Sequence, residues 1–141
     1  MIQLAKKQNN KFHGRSSFRV MDGKNTSFKS DTFDIVCSQG LLEHCKDEEM
    51  LNFINEWLRI APTCIISVPS KYYGRTDFGN ERLLTLHDYQ KILGRYKVAC
   101  RYYGFLFNNE KLLLNNFFRM YKIFNPLKYH AQIIITIKKK H

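Results

Sequence analysis

No closely spaced cysteine pair occurs in the 141 residues. Cys37, Cys45, Cys64 and Cys100 all lie outside the two-to-four-residue spacing of a zinc site. The histidines (His13, His44, His87, His130, His141) are scattered as well, so no metal site is expected. The thiols read as reduced and structural, three of them inside strand-like segments. Long apolar runs are missing too. The longest, Cys64–Pro69 and Ile133–Ile137, fall far short of the roughly 18–20 residues a membrane span needs. The start, MIQLAKKQNN, has neither a signal-peptide apolar core nor a small-residue cleavage site. The chain is therefore expected to be cytoplasmic, and the final KKKH to be a solvated tail. The seven glycines (Gly14, Gly23, Gly40, Gly74, Gly79, Gly94, Gly104) never form G-x-G, the turn that brings backbone amides to a nucleotide. Repeats and low-complexity stretches are absent.

Acidic residues are scarce in the last third. From Arg95 onward Glu110 is the only acid, so most of the formal charge of +11 lies there. Such an excess suits an anionic partner or a well-solvated surface. With 44% hydrophobic and 14% aromatic residues, the chain can bury a core, and its length fits one domain.

Strand-like and helix-like segments alternate. Ile2–Gln8 reads as the end of a helix. Phe18–Met21 reads as a short strand ending at the Asp22-Gly23 turn signal. Phe33–Ser38 and Thr63–Val68 are apolar, β-branched runs typical of buried strands. Between them Asp47–Ala61 is the clearest helix. Three acids crowd its first turn, Met50, Ile54, Trp57, Leu58 and Ala61 make one face, and Pro62 stops it. Thr85-x-x-Asp88 opens a further helix that Gly94 ends. Tyr96–Phe105 reads as a strand, Asn108–Asn125 as a long helix, and Gln132–Ile137 as the last strand. This order argues for an α/β fold with a largely parallel sheet, whose last two strands need not be parallel.

In open α/β sheets, ligands bind beyond the carboxyl ends of the strands. Asp22 follows the first such end. Ser38, Gln39 and Gly40 follow the second. Pro69, Ser70, Lys71, Tyr72 and Tyr73 follow the third. These groups could line a nucleoside-like ligand or serve as ordinary turn residues.

The stretch VMDGKNTSFKSDTFDIVCSQGLLEHCKDEEM resembles the middle of a class I S-adenosylmethionine-dependent methyltransferase. Asp22 follows one strand, Phe33-Asp34-Ile35-Val36 forms the next, and Leu42-Glu43-His44 opens the following helix. ISVPSKYYGRTDFGNERLLT is similar to the next strand and substrate loop in a subset of these enzymes, and MIQLAKKQ resembles the helix after the family's second strand. The resemblance implies S-adenosylmethionine as cofactor. It implies Asp22 at the adenine, Gly23 shaping that turn, and Ser38, Gln39 and Gly40 along the methionine part, in one cleft. Glu43 and His44 would sit at the rim. Methyl transfer from an activated sulfonium depends largely on positioning. If the acceptor must lose a proton, His44 is the first candidate base, because imidazoles ordinarily titrate near working pH.

The family's glycine-rich turn and the acid after its second strand have no counterpart in this sequence. Its sheet order is 3-2-1-4-5-7-6. The chain thus reads as the C-terminal portion, residues 1–141, of a single methyltransferase-like domain. The implied fold is an incomplete Rossmann-like sheet of strands three to seven with their helices, lacking the first two strands. Phe18–Met21 would then have to pair beside Phe33–Ser38 or leave an open edge. A complementing chain carrying the missing half is the implied partner, and the chain alone is expected to bind S-adenosylmethionine weakly or not at all.

The loop after Thr63–Val68, with Tyr72, Tyr73, Arg75, Asp77, Phe78, Glu81 and Arg82, is where the family usually places acceptor-binding residues, of which Tyr72, Tyr73, Arg75 and Arg82 are the candidates here. Its charges suit a small polar or anionic acceptor, with Arg75 or Arg82 pairing a carboxylate or phosphate. The aromatic, basic helix Asn108–Asn125 could rest on an anionic membrane or connect the last strands by core packing. A different class of reading is a non-catalytic basic module binding nucleic acid or an acidic partner. It draws on the interleaved Arg95, Tyr96, Lys97, Arg101, Tyr102 and Tyr103, since such mixtures stack bases and neutralise phosphates.

Overall fold

Strict alternation of buried and half-buried residues along Thr63–Pro69 marks a strand with one face on the core. In the computed structural model, which describes residues 3, 16–73, 79–105 and 130–139, it is the second of four strands in one sheet. The elements are β1 (Ile35–Gln39), α1 (Asp47–Ile60), β2 (Thr63–Pro69), α2 (Leu86–Ile92), β3 (Lys97–Phe105) and β4 (His130–Lys138), with 3-10 turns at Leu42–His44 and Lys71–Tyr73. The strand order is β1-β2-β4-β3. β1 and β2 are parallel, whereas β4 runs antiparallel to both β2 and β3.

The mixed α/β sheet matches a partial Rossmann-like methyltransferase fold. Its strand order is that of the family's strands four, five, seven and six. Two expectations are corrected. The sheet is not largely parallel, since two of its three pairings are antiparallel. Phe18–Met21 is not a strand, and no strand precedes Ile35 among the described residues. A lone extended segment has no ladder to satisfy its backbone groups, so local β-propensity does not make it a strand. The helical reading of Ile2–Gln8 (apart from Gln3) and that of Asn108–Asn125 lie outside the described residues.

Register builds the core. Cys64, Ile66 and Val68 stand opposite Ile137, Ile135 and Ile133, which in turn face Val98, Cys100 and Tyr102. One sheet face thus becomes an apolar strip. Met50, Phe53, Ile54, Trp57 and Leu58 of α1 join the same core, with Tyr89 and Leu93 from the α2 region. All four cysteines are free. Burial pushes Cys64 up to about 12 and Cys100 up to about 11, as expected of inert packed thiols. Cys37, on β1, is exposed instead. No helix among the described residues is long and apolar enough to cross a membrane.

Candidate functional site

Gly40 ends β1 with φ of +68°, a left-handed conformation natural to glycine. Its amide donates to the Ser67 carbonyl at 3.3 Å, which ties the ends of β1 and β2 together. The chain then turns sharply into the Leu42–His44 turn. Because β4 runs antiparallel, Pro69 at the end of β2 pairs with Gln132 at the beginning of β4. A cavity of about 270 Å³ opens here, lined by Gln39, Gly40, Glu43, His44, Ser67 and Gln132 among others, with Tyr73 and Glu81 on its loop side. It lies at the carboxyl ends of the parallel strands, where open sheets place ligands.

Its polar groups are ordered. The Ser67 hydroxyl donates to Gln132 Oε1 at 3.2 Å, so the Tyr103 hydroxyl donates to Ser67. His44 Nδ1 donates to Asn80 Oδ1 at 2.7 Å. Glu43 is only 5% exposed, and its Oε2 makes no hydrogen bond. Burial pushes the Glu43 carboxyl above its ordinary value and Glu81 adds to the effect, while its own backbone amide and His44 pull the other way. The buried Tyr89 hydroxyl also makes no hydrogen bond and is pushed up, chiefly by burial and then by Glu43. No metal-ligating cluster occurs among the described residues.

Of the residues singled out in the sequence, Gln39, Gly40, Glu43, His44 and Tyr73 converge on this cavity. Asp22, Gly23, Ser38, Tyr72 and Arg82 do not line it. Asp22 is thus not among the residues lining the cavity that Gln39 lines. Asp22 accepts from the Lys24 amide at 2.9 Å in its own turn, and Gly23 lies so close to Phe53 that an added Cβ would meet that ring at 2.9 Å. Lys24 pairs with Glu49 at 2.9 Å. The Asp22–Asn25 turn is thus fastened to α1 and not to the strand ends. Ser38 alternates to the sheet face opposite Gln39. Tyr72 packs edge-on against Tyr102. Arg82 donates to the Cys45 carbonyl and to Asp47 Oδ1, both at 2.6 Å, which steadies the start of α1. Arg75 lies outside the described residues.

Ser67 and Gln132 were not anticipated, whereas Glu81 lies in the loop singled out after Thr63–Val68. Ser67 sits inside a strand, and Gln132 reaches the site only because β4 inserts between β2 and β3. Of the residues behind the nucleic-acid reading, the basic Arg95, Lys97 and Arg101 are exposed, and the tyrosines make contacts within the fold. Arg95 lies over Tyr96, whose hydroxyl donates to Asn55, and the Tyr102 hydroxyl accepts from the Leu86 amide.

Residues 1–62 match the model of a methyltransferase-domain family. No curated protein matches the chain. Among solved structures, the PH0226 protein of Pyrococcus horikoshii superposes with a TM-score of 0.67 at 14% identity, over 99% of this chain and 66% of its own. A Haloferax volcanii complex between the Trm112 methyltransferase activator and a methyltransferase gives 0.64 at 15% identity, over 95% and 67%. The magnesium protoporphyrin IX methyltransferase of Synechocystis, with bound SAH, gives 0.62 at 18%, over 99% and 59%. The chain thus spans about two thirds or less of these structures.

Proposed function

We propose that this chain, which resembles class I S-adenosylmethionine-dependent methyltransferases in family match and in fold, forms the acceptor side of such an enzyme. The observation that carries the reading is the cavity at the ends of β1 and β2, where Gln39, Gly40 and His44 meet residues brought in by β4 and the loop before α2.

The described residues fit only part of the cofactor. A volume of about 270 Å³ lies below the roughly 300–1,000 Å³ of sites that enclose a drug-sized ligand, and Asp22 is not among its lining residues. Gln39 and Gly40 would face the methionine end, where Gly40 permits close backbone approach. The nucleoside end would be held by a glycine-rich turn outside these 141 residues, on a partner chain or a further segment. His44 is the base if the acceptor must give up a proton.

Ultraviolet crosslinking with methyl-labelled S-adenosylmethionine tests the reading. Label is expected in the peptide containing Gln39–His44, with weak affinity for the chain alone in calorimetry. Absence of label from that peptide at saturating cofactor, together with salt-dependent retention on an oligonucleotide column, would favour the basic-module reading instead.

A further inference from the structure

We propose that the outer face of the sheet, from Lys97 and Lys138 past Arg101 to Tyr103, binds a single-stranded nucleic acid, with phosphates on the basic residues and an unpaired base stacked on the Tyr103 ring. That this strand is the methyl acceptor rests on the methyltransferase reading; the binding face does not.

Val98, Cys100 and Tyr102 stand opposite the buried Ile137, Ile135 and Ile133 of β4. Alternation therefore turns Lys97, Ala99, Arg101 and Tyr103 to the other face, and all four are exposed. Lys97 lies directly opposite Lys138, which is exposed as well. Like charges so placed repel, and a phosphate between them removes that cost. Arg101 follows on the same face, four residues and about 14 Å along β3. None of these three cations makes an ion pair among the described residues. Asp77 and Glu110 are the only acids outside those residues, too few to neutralise all three.

Tyr103 ends the track. It stands opposite Gln132, and its hydroxyl reaches across β4 to the Ser67 hydroxyl at 2.5 Å. The ring is thus fixed at both ends, by its backbone in β3 and its hydroxyl on β2, while the residue stays 39% exposed. A fixed, exposed ring on a sheet face is a stacking platform for an unpaired base. That ring selects the occupant. A duplex keeps its bases stacked inside, and an acidic peptide or an anionic lipid surface carries its charge without a base. Ser67 and Gln132 also line the cavity, so a base on Tyr103 places the neighbouring nucleotide beside it.

The test uses the full chain and labelled oligoadenylate in fluorescence anisotropy, with the oligoadenylate–oligouridylate duplex, polyglutamate and phosphatidylserine vesicles as competitors. The single strand is expected to bind about tenfold tighter than the duplex and to resist the other two. Tyr103→Leu should weaken it about tenfold, the worth of one stacked base, and Tyr103→Phe should keep most of the affinity. Lys97→Gln with Lys138→Gln should lower the slope of log affinity against log salt by about 1.4. The control pair Lys46→Gln with Lys91→Gln removes the same charge at α1 and α2, which pack on the opposite face. Equal losses from the control pair, equal affinity for the duplex, or displacement by polyglutamate or vesicles would overturn the proposal. The comparison of strand and duplex needs only the unaltered chain, whatever the variants do to folding. Cofactor crosslinking to Gln39–His44, run without oligonucleotide, is read separately. Label there with no dependence of strand binding on this face sinks the present proposal alone. Strand binding that depends on the face, without label, keeps the nucleic-acid face and removes the methyltransferase reading.

Discussion

At the scale of single residues, two buried glutamates carry opposite burdens. Glu56 is 8% exposed, but both its oxygens are occupied. Oε1 accepts from the Thr26 amide at 2.8 Å and from Arg59 at 2.7 Å, and Oε2 accepts from Arg59 Nε at 2.8 Å. Arg59, chiefly, and then Thr26 hold the Glu56 carboxyl down to about 2 against burial. Because the folded value lies below the unfolded one, its stabilisation is present above the ordinary carboxylate range and is lost as pH falls toward 2. Arg59 is partly exposed, so we expect a loss of about 2 kcal/mol on acidification, read from urea midpoints between pH 6 and pH 2. Glu56→Gln should remove most of that pH dependence. Glu43 shows the reverse sign: its folded value is raised by burial, so its ionisation weakens the fold at neutral pH. Glu43→Gln should raise the melting temperature at pH 7, with the difference narrowing as pH falls through the carboxylate range. An unchanged or lowered midpoint at pH 7 would contradict this.

At the scale of elements, the capping box is the feature most directly legible in the sequence. The Thr85 hydroxyl accepts from the Asp88 amide at 3.1 Å, and the Thr85 amide donates to Asp88 Oδ2 at 2.8 Å. The Thr85 hydroxyl, donating to Asp88 Oδ2 at 2.7 Å, and then the Thr85 amide hold the Asp88 carboxyl below its ordinary value. α2 has only seven residues, too few to be stable by propensity alone. It persists because the cap satisfies its first amides and because Tyr89 and Leu93 are fully buried. Thr85→Ala should cost about 1 kcal/mol and raise amide exchange in Leu86–Ile92 more than in α1. Equal exchange in both helices would count against it. α1 illustrates the limit of pattern reading. Its apolar face and acidic first turn are visible in the sequence, but Lys46 provides no side-chain cap. The anchor is Arg82, 35 residues further along at Asp47, which no helix-start rule identifies.

At the scale of the whole molecule, the sheet presents β1 at one end. Its outer edge pairs with no strand among the described residues, and Phe33, Ile35 and Leu41 on and beside it in sequence are exposed. An apolar strand with a free edge templates pairing with another chain. We expect concentration-dependent self-association in light scattering, reduced by Ile35→Lys at the half-exposed edge position. A monodisperse chain at all concentrations would show that the edge is covered.

The helix Asp47–Ala61, the strand Thr63–Val68 and the Thr85 cap were readable because each depends on neighbours in sequence: periodicity, a proline stop, a side chain reaching three residues back. Gln39, Gly40, Glu43 and His44 were legible as a strand end and the turn after it. Only the tertiary structure decided that Phe18–Met21 has no ladder partner, that Asp22 is fastened to α1, and that Gln132 and Ser67 meet at one cavity. Those outcomes depend on which strand lies beside which and on long-range register. They are set by competition among distant contacts that no local window of residues contains.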